Sequence, residues 1–442
     1  MEPPRRARTS TVAARDATLA PRARAGNIAA LDTPLAVFLA VYAGMVCGGL
    51  PGTRLDRTGI ALLGAVLLVA LRALPLERAW AAVDVGTLGL LLGLMLLSAQ
   101  LRLSGFYAAI TRALAARPTS PQRLLLELVL TAGALSAVLT NDVVCLAVAP
   151  VLVDVCRRRG LDPVPFLLGL AAASNTGSAA TILGNPQNLL IGQTLHLSFS
   201  RYLIDGLPPA LLGLLATWAI LARAWAGRFE RAAAPRSQAE HAFDRGQTGK
   251  GLAVLLLLVL GLFWCPLPNA VLALLAGGAV LLSRRQGTRD LLGLVDWPLL
   301  VLFMGLFVVN HALLAAGHAH RWLDSAAAAG LDVRAPAGLF AVTVIGSNVI
   351  SNVPLVMLLL PAASHPQAGP ILALASTLAG NLFLVGSIAN LIVVEQARAL
   401  GVEPERGSWA RVHARTGVPI AFVTLALAAG WLWLRANVFA AW

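Results

Sequence analysis

Leu139-Thr140-Asn141-Asp142-Val143-Val144 and Ile350-Ser351-Asn352-Val353-Pro354-Leu355 are short polar interruptions between apolar runs. The first lies between residues 124–138 and 143–155, the second between 339–349 and 355–363. None of these runs is long enough to cross a bilayer alone. At membrane depth a polar break persists only where protein or a water-filled cavity surrounds it. Each interruption therefore reads as the tip of a re-entrant hairpin, two half-helices meeting near the midplane. Such tips belong to transporters rather than enzymes.

The surrounding chain agrees. Its 442 residues are 58% hydrophobic and 12% charged, with a mean hydropathy of +0.76. Soluble domains carry about 25% charged residues, so the composition specifies an all-α polytopic membrane protein in a lipid bilayer. A net charge of +13 would suggest nucleic acid for a soluble chain. Here the arginines fall between apolar segments, as cytoplasmic loops do, and no nucleic-acid partner is expected. Cys47, Cys145, Cys156 and Cys265 show no CxxC spacing, which indicates neither a metal site nor a disulfide framework.

Residues 1–33 are rich in Arg, Ala and Pro and read as a basic disordered tail, not a signal peptide. Candidate spans follow at 34–50, 58–74 and 85–101, then a hairpin over 122–156, a broken segment over 164–195, and a span at 207–226. Residues 106–116 read as an interfacial amphipathic helix. A polar cytoplasmic linker over 227–249 leads to spans at 250–264, 267–282 and 298–316, a hairpin over 335–364, a broken segment over 369–400, and a span at 417–434.

The two sets are copies. Val83-Asp84, Gly93 and Gly105 align with Val295-Asp296, Gly305 and Gly317 at an offset of 212; Ser136, Asn141 and Pro150 align with Ser347, Asn352 and Pro361 at 211; Asn188 aligns with Asn390 at 202. Residues 34–226 and 250–442 thus form two repeats, each with about five spans plus a re-entrant hairpin and a broken helix. An odd number of crossings turns the second copy over, giving inverted repeats. With the first hairpin entering from the cytoplasm, 22 Lys and Arg residues lie inside and six outside, leaving the tail aside. That is the positive-inside orientation of a multi-pass inner (cell) membrane protein. The same orientation puts the basic tail outside, which conflicts with the rule.

Asp142 and Asn352 read either as N-caps of the second hairpin arms, with Pro354 near the first helical position, or as ion ligands. A carboxylate at the bilayer centre costs about 2.5–3.5 kcal/mol, and a neutral Asn would cap as well. Asp142 is therefore expected to neutralise a bound cation or carry a proton. Ala173-Ser174-Asn175-Thr176-Gly177-Ser178-Ala179-Ala180-Thr181-Ile182-Leu183-Gly184-Asn185-Pro186-Gln187-Asn188 cannot continue a lipid-facing helix, because proline removes a donor and clashes with the preceding turn. An unwound mid-membrane segment is expected there, with a shorter mate at Gly380-Asn381-Leu382-Phe383-Leu384-Val385-Gly386-Ser387-Ile388-Ala389-Asn390.

A polar tip, a half-helix ending in proline and then Gly-Asn-Pro-Gln-Asn resembles the ion transporter superfamily: citrate transporter-like divalent-anion/sodium symporters, arsenite permeases and related sodium/proton antiporters. Thr140-Asn141-Asp142 and Ser351-Asn352-Val353 sit where the symporters carry Ser-Asn-Thr, and Gly184–Asn188 resembles their Gly-Thr-Pro-Pro-Asn. Asp142 and Val353 replace the threonines, and Asn381 with Gly386–Asn390 is more similar to the arsenite permeases. The resemblance implies sodium and carboxylate sites at tips and broken helices, a homodimer, and an elevator mechanism.

The expected function is a secondary active transporter of a small anion, an arsenite-like oxyanion or a carboxylate, coupled to sodium ion or protons with no other cofactor. The expected binding residues are Thr140, Asn141, Asp142, Asn175, Thr176, Ser178, Thr181, Gly184, Asn185, Asn188, Ser351, Asn352, Asn381, Gly386, Ser387 and Asn390, with sodium at Asn141, Asp142 and Asn352. The alternatives are a sodium/proton antiporter and, from another class, a passive channel. Gly246-Gln247-Thr248-Gly249-Lys250 imitates a phosphate loop but lacks the earlier glycine and strand. His311, His318 and His320 read as interfacial side chains, and Asp84 and Asp296 as helix caps.

Overall fold

Capping residues and prolines set where many of the helices start. The computed structural model describes residues 32–50, 52–230, 243–405 and 407–438. Almost all of the expected tail, and residues 231–242 of the expected linker, lie outside them. The first half runs α1 (Thr33–Cys47), α2 (Arg57–Ala70), a short α3 (Leu76–Ala81), α4 (Val85–Leu103), α5 (Phe106–Ala115), α6 (Pro121–Val138), α7 (Asn141–Arg158), α8 (Pro163–Ser178), α9 (Pro186–Thr194) and α10 (Phe199–Ala224). The second half repeats the series as α11 (Arg245–Trp264), α12 (Asn269–Leu281), a short α13 (Thr288–Leu292), α14 (Trp297–Ala315), α15 (His318–Ala328), α16 (Pro336–Ile350), α17 (Asn352–Leu359), α18 (Ala368–Ala379), α19 (Ile388–Ala399) and α20 (Trp409–Asn437). Single 3-10 turns lie at Leu360–Ala362 and Leu384–Gly386. No strand occurs among the described residues, and α4, α6, α10, α11, α14 and α20 are long and apolar enough to cross a membrane.

Repeat-equivalent helices start in the same way. Asp84 caps α4 by accepting from Thr87 N at 3.0 Å, and Asp296 caps α14 by accepting from Leu299 N at 3.0 Å. The expected amphipathic helix is α5, and its mate is α15. Each is entered through a left-handed glycine, Gly105 at φ 77° and Gly317 at φ 75°, a conformation that costs glycine nothing.

Three expected boundaries are corrected. α10 begins at 199, not 207, and runs through Pro208 and Pro209. Proline at 208 deprives the Ile204 carbonyl of its usual helical donor, and the Trp431 indole supplies one at 3.1 Å. α11 begins at 245, five residues early, because Asp244 accepts from Gly246 N and Gln247 N at 3.0 and 3.1 Å. The phosphate-loop imitation is thus the opening of a helix, and the linker stops at that cap. α20 begins at 409, where Ser408 caps it.

The halves pack onto each other reciprocally. α4 lies against α12 and α14 against α2. A Cβ at Gly93 would fall 2.1 Å from the Ala273 carbonyl oxygen, and one at Gly305 would fall 2.7 Å from the Ala61 carbonyl carbon. Both pairs, 93 with 305 and 61 with 273, are 212 residues apart. Backbone contact at both crossings therefore requires glycine. Gly93→Ala is expected to destabilise by about 1–3 kcal/mol through overpacking, read as a lowered melting temperature in detergent. Gly278→Ala on α12, where nothing lies within 4 Å, should leave melting unchanged or raise it.

Candidate functional site

Both broken segments appear where the sequence placed them. α8 unwinds over 179–185 before α9, and α18 gives way to a loop over 380–387 before α19. A freed carbonyl inside a membrane needs a donor, and each loop receives donors from equivalent positions. Asn188 Nδ2 donates to the Ser178 and Thr181 carbonyls at 3.3 and 3.1 Å; Asn390 Nδ2 donates to those of Gly380 and Phe383 at 2.8 and 3.3 Å. The Tyr202 hydroxyl donates to the Ala179 carbonyl at 2.9 Å, and His413 Nε2 lies 3.0 Å from that of Asn381. A carbonyl can only accept, so His413 carries its proton on Nε2. Gly206 and Gly417 lie against the same two carbonyls, where a Cβ would come within 2.7 and 2.6 Å.

Asn175 joins these loops to the first tip. Its Oδ1 accepts from Asn141 Nδ2 at 3.2 Å and Ser387 Oγ at 2.8 Å. Its Nδ2 donates to Asn381 Oδ1 at 3.0 Å and Asn390 Oδ1 at 3.2 Å. Every valence of the amide is used. The residue 202 positions later, Thr377, plays the reciprocal part: it donates to Asn188 Oδ1 at 3.2 Å and accepts from Asn185 Nδ2 at 3.0 Å. Thr176 Oγ1 accepts from Asn381 Nδ2, Ser178 Oγ accepts from Asn185, and Thr181 Oγ1 donates to the Ala137 carbonyl. No Lys or Arg among the described residues contributes to this network.

The first tip is docked on it. Asn141 N donates to the Gly184 carbonyl at 3.0 Å. The second tip forms no counterpart: neither Ser351 nor Asn352 bonds to the network, and Gly386 lies instead beside Asn348 on α16. The expected capping by Asp142 and Asn352 is not found. Thr140 and Ser351 occupy the N-cap positions without bonding the first turn through their side chains, and Pro354 is the third residue of α17. The chain turns at Leu139 in extended conformation and at Ser351 with φ 89°, so both helices start early enough to place Asp142 second and Asn352 first. The N-terminus of α19, at Ser387, also lacks a side-chain cap.

Three buried oxygens at each tip have no hydrogen-bond partner among the described residues: Ser136 Oγ, Thr140 Oγ1 and Asn141 Oδ1 at the first, and Ser347 Oγ, Asn348 Oδ1 and Asn352 Oδ1 at the second. Ser136 pairs with Ser347 and Asn141 with Asn352 in the repeat. An unmet buried acceptor costs about 1–3 kcal/mol, so both tips demand donors or a cation. Asp142 is half-buried, and no basic side chain pairs with it among the described residues. No group of three His, Cys, Asp or Glu residues could hold a metal among the described residues; the His320 side chain lies outside them.

Tyr202, Thr377, His413 and Asn348 were not anticipated. Thr377 was within reach, since the 202-residue offset that relates Asn188 to Asn390 carries Asn175 onto it. Tyr202 and His413 are 211 residues apart, as are Pro208 and Pro419, but Tyr and His share no residue type that would betray a common role.

The citrate transporter family matches residues 46–379, most of the chain. The chain belongs to that family. It is a multi-pass membrane transporter and not an enzyme. A 46 kDa membrane protein of Mycobacterium leprae is 30% identical to it, over 91% of this chain and 98% of that protein. The silicon efflux transporter LSI3 of Oryza sativa subsp. japonica is 28% identical over 79% and 86%, and the inner membrane protein YbiR of Escherichia coli is 30% identical over 76% and 85%. Among solved structures the YdaH transporter of Alcanivorax borkumensis shares the fold, with a TM-score of 0.52 at 15% identity over 92% of this chain and 99% of that one.

Removing the Asn175 amide would leave Ser387, Asn381, Asn390 and Asn141 each short of a partner. Asn175→Ala is therefore expected to cost about 2–4 kcal/mol, read as a lower melting temperature and yield of monodisperse protein. Asn185→Ala, which removes the cap of α9 and the buried bonds to Ser178 and Thr377, should cost a comparable amount.

Proposed function

We propose that this family member is a secondary active transporter that moves a small oxyacid or carboxylate anion across the inner (cell) membrane, coupled to a sodium or proton gradient. The observation that carries the reading is the set of unpaired buried oxygens at two repeat-equivalent tips. Beside them the N-termini of α7, α17 and α19 lack side-chain caps, so their N–H groups and positive dipole ends favour anionic oxygen. A solute carrying both O–H and bare oxygen answers both demands, and the absence of Lys and Arg from the network suits a weakly charged one. The family's description names citrate and one relative's name specifies silicon, so oxyacids and carboxylates are the substrate classes to test.

The inverted arrangement belongs to the same proposal. Reciprocal contacts such as 93 with 273 and 305 with 61 are what a two-fold relation between halves produces, and an odd number of crossings per half lays that axis in the membrane plane. The tips are then re-entrant, and the broken helices and hairpins move as one body in an elevator cycle. The apolar faces of α11 and α12, where Leu256, Leu257 and Leu275 are exposed, meet lipid or a second copy in a homodimer. Thr140, Asn141 and Asp142 take the coupling ion, while Asn188 and Asn390 hold the unwound loops in shape.

Asp142 supports a second reading, sodium/proton exchange. No basic side chain pairs with it among the described residues. The readings separate in proteoliposomes with imposed gradients and a panel of arsenite, silicic acid, citrate, succinate and sulfate. Gradient-driven uptake of at least one solute is expected; sodium-driven proton flux with no solute present would favour exchange, and conductance steps in a planar bilayer would favour a channel. Asp142→Asn should abolish the sodium or pH dependence of uptake, since the neutral amide can neither compensate a cation nor carry a proton. Retained coupling in that variant would assign Asp142 a structural role.

A further inference from the structure

The two tips are not chemically equal, and one of the differences is an amide. Ser136 has Ser347, and Asn141 has Asn352, but the position equivalent to Asn348 is Ala137. Asn348 Nδ2 donates to the Val344 carbonyl at 3.0 Å. A carbonyl can only accept, so this bond fixes the amide's orientation and turns Oδ1 the other way. That Oδ1 is buried and has no partner among the described residues. It lies over Gly386, where a Cβ would come within 2.7 Å, so only glycine there accommodates the oxygen without crowding it. Next to Gly386 the loop is open, with Phe383 51%, Val385 59% and Ile388 39% exposed, whereas the equivalent first loop is buried throughout.

From these observations we infer that Asn348 is a solute-contacting, specificity-determining residue: its Oδ1 accepts a hydrogen bond from an O–H of the transported molecule. An amide oxygen offers nothing to a fully ionised anion, which has only acceptors. It rewards a weak oxyacid that keeps its hydroxyl protons, such as arsenous or silicic acid. The first tip carries an ionisable side chain, Asp142, where the second has Val353. The labour divides accordingly, with the coupling ion at the first tip and the solute at the second. This inference rests on the transport reading above and narrows its substrate class.

The test is a pair of variants in the proteoliposome assay, with arsenite and silicic acid as hydroxylated probes and sulfate as the fully ionised one. Asn348→Ala should raise KM for the hydroxylated probes about tenfold, the worth of one well-made hydrogen bond, with kcat and sodium or pH dependence unchanged. Gly386→Ala keeps the amide but crowds its oxygen, and should raise KM in the same direction. A structural role would instead lower kcat, melting temperature or yield, which gel filtration and thermal unfolding of both variants report. Unchanged KM in both variants overturns the inference, as does a shift in sodium dependence, which would make Oδ1 a cation ligand. A wild-type protein that transports sulfate but neither hydroxylated probe also overturns it while leaving the transport reading intact. If the wild type moves none of the panel, the transport reading itself fails, and this inference with it.

Discussion

A polypeptide that abandons the helix inside a bilayer must find a donor for each carbonyl it frees, and this constraint organises the centre of the molecule. Water is not there to help, and each unsatisfied group costs several kcal/mol. The solution is the same in both halves. One asparagine amide, from Asn188 or Asn390, reaches back seven and ten residues to hold two carbonyls. A second donor, from Tyr202 or His413, arrives from a long helix whose glycine lets it approach closely. The chemistry of that second donor differs between halves, but its position does not. What the repeat preserves is a hydrogen-bond demand and the geometry that meets it.

With the loops satisfied internally, their side chains are free to join each other. The Oδ1 atoms of Asn188 and Asn390 each accept from the opposite half, from Thr377 and Asn175 respectively. The two breaks therefore form one cross-braced unit. The tips differ in how they meet it. The first is docked through Asn141 on Gly184 and Asn175, while the second leaves Asn352 unbonded and Ser351 at φ 89°. A non-glycine residue in that conformation is sustained only by its surroundings, and the loop it faces is the exposed one. The asymmetry places the tip with fewer hydrogen bonds to the network beside the more exposed loop.

Much of this was legible in the sequence because membrane chains advertise their breaks. Polar hexapeptides in apolar runs located both tips, and Gly-Asn-Pro-Gln-Asn located the first unwound segment to within a few residues. Of the expected site residues, Asn141, Asn175, Thr176, Ser178, Asn185, Asn188, Asn381, Ser387 and Asn390 fall in one network; Ser351 and Asn352 stand apart from it. The α11 and α20 boundaries failed at local caps, Asp244 and Ser408; that of α10 failed where a tertiary partner overrode a local rule. Proline ends a helix unless another element supplies a donor, and no local pattern reveals that Trp431 serves Ile204. Asn348 was invisible for a different reason: the duplication that exposed the other positions has alanine in its place.

That last point bears on how a duplicated protein acquires a direction. A perfect two-fold pair of tips would bind the same ion twice and could not tell solute from coupling ion. Two substitutions remove the equivalence, a carboxylate at 142 opposite Val353 and an amide at 348 opposite Ala137. The first adds a charge where the tip bonds to the network; the second adds an acceptor where it does not. A charge needs fixed, preorganised surroundings to offset its desolvation, whereas a neutral acceptor tolerates a moving wall. The shared scaffold of asparagine staples lets the two tips differ without either loop losing its partners.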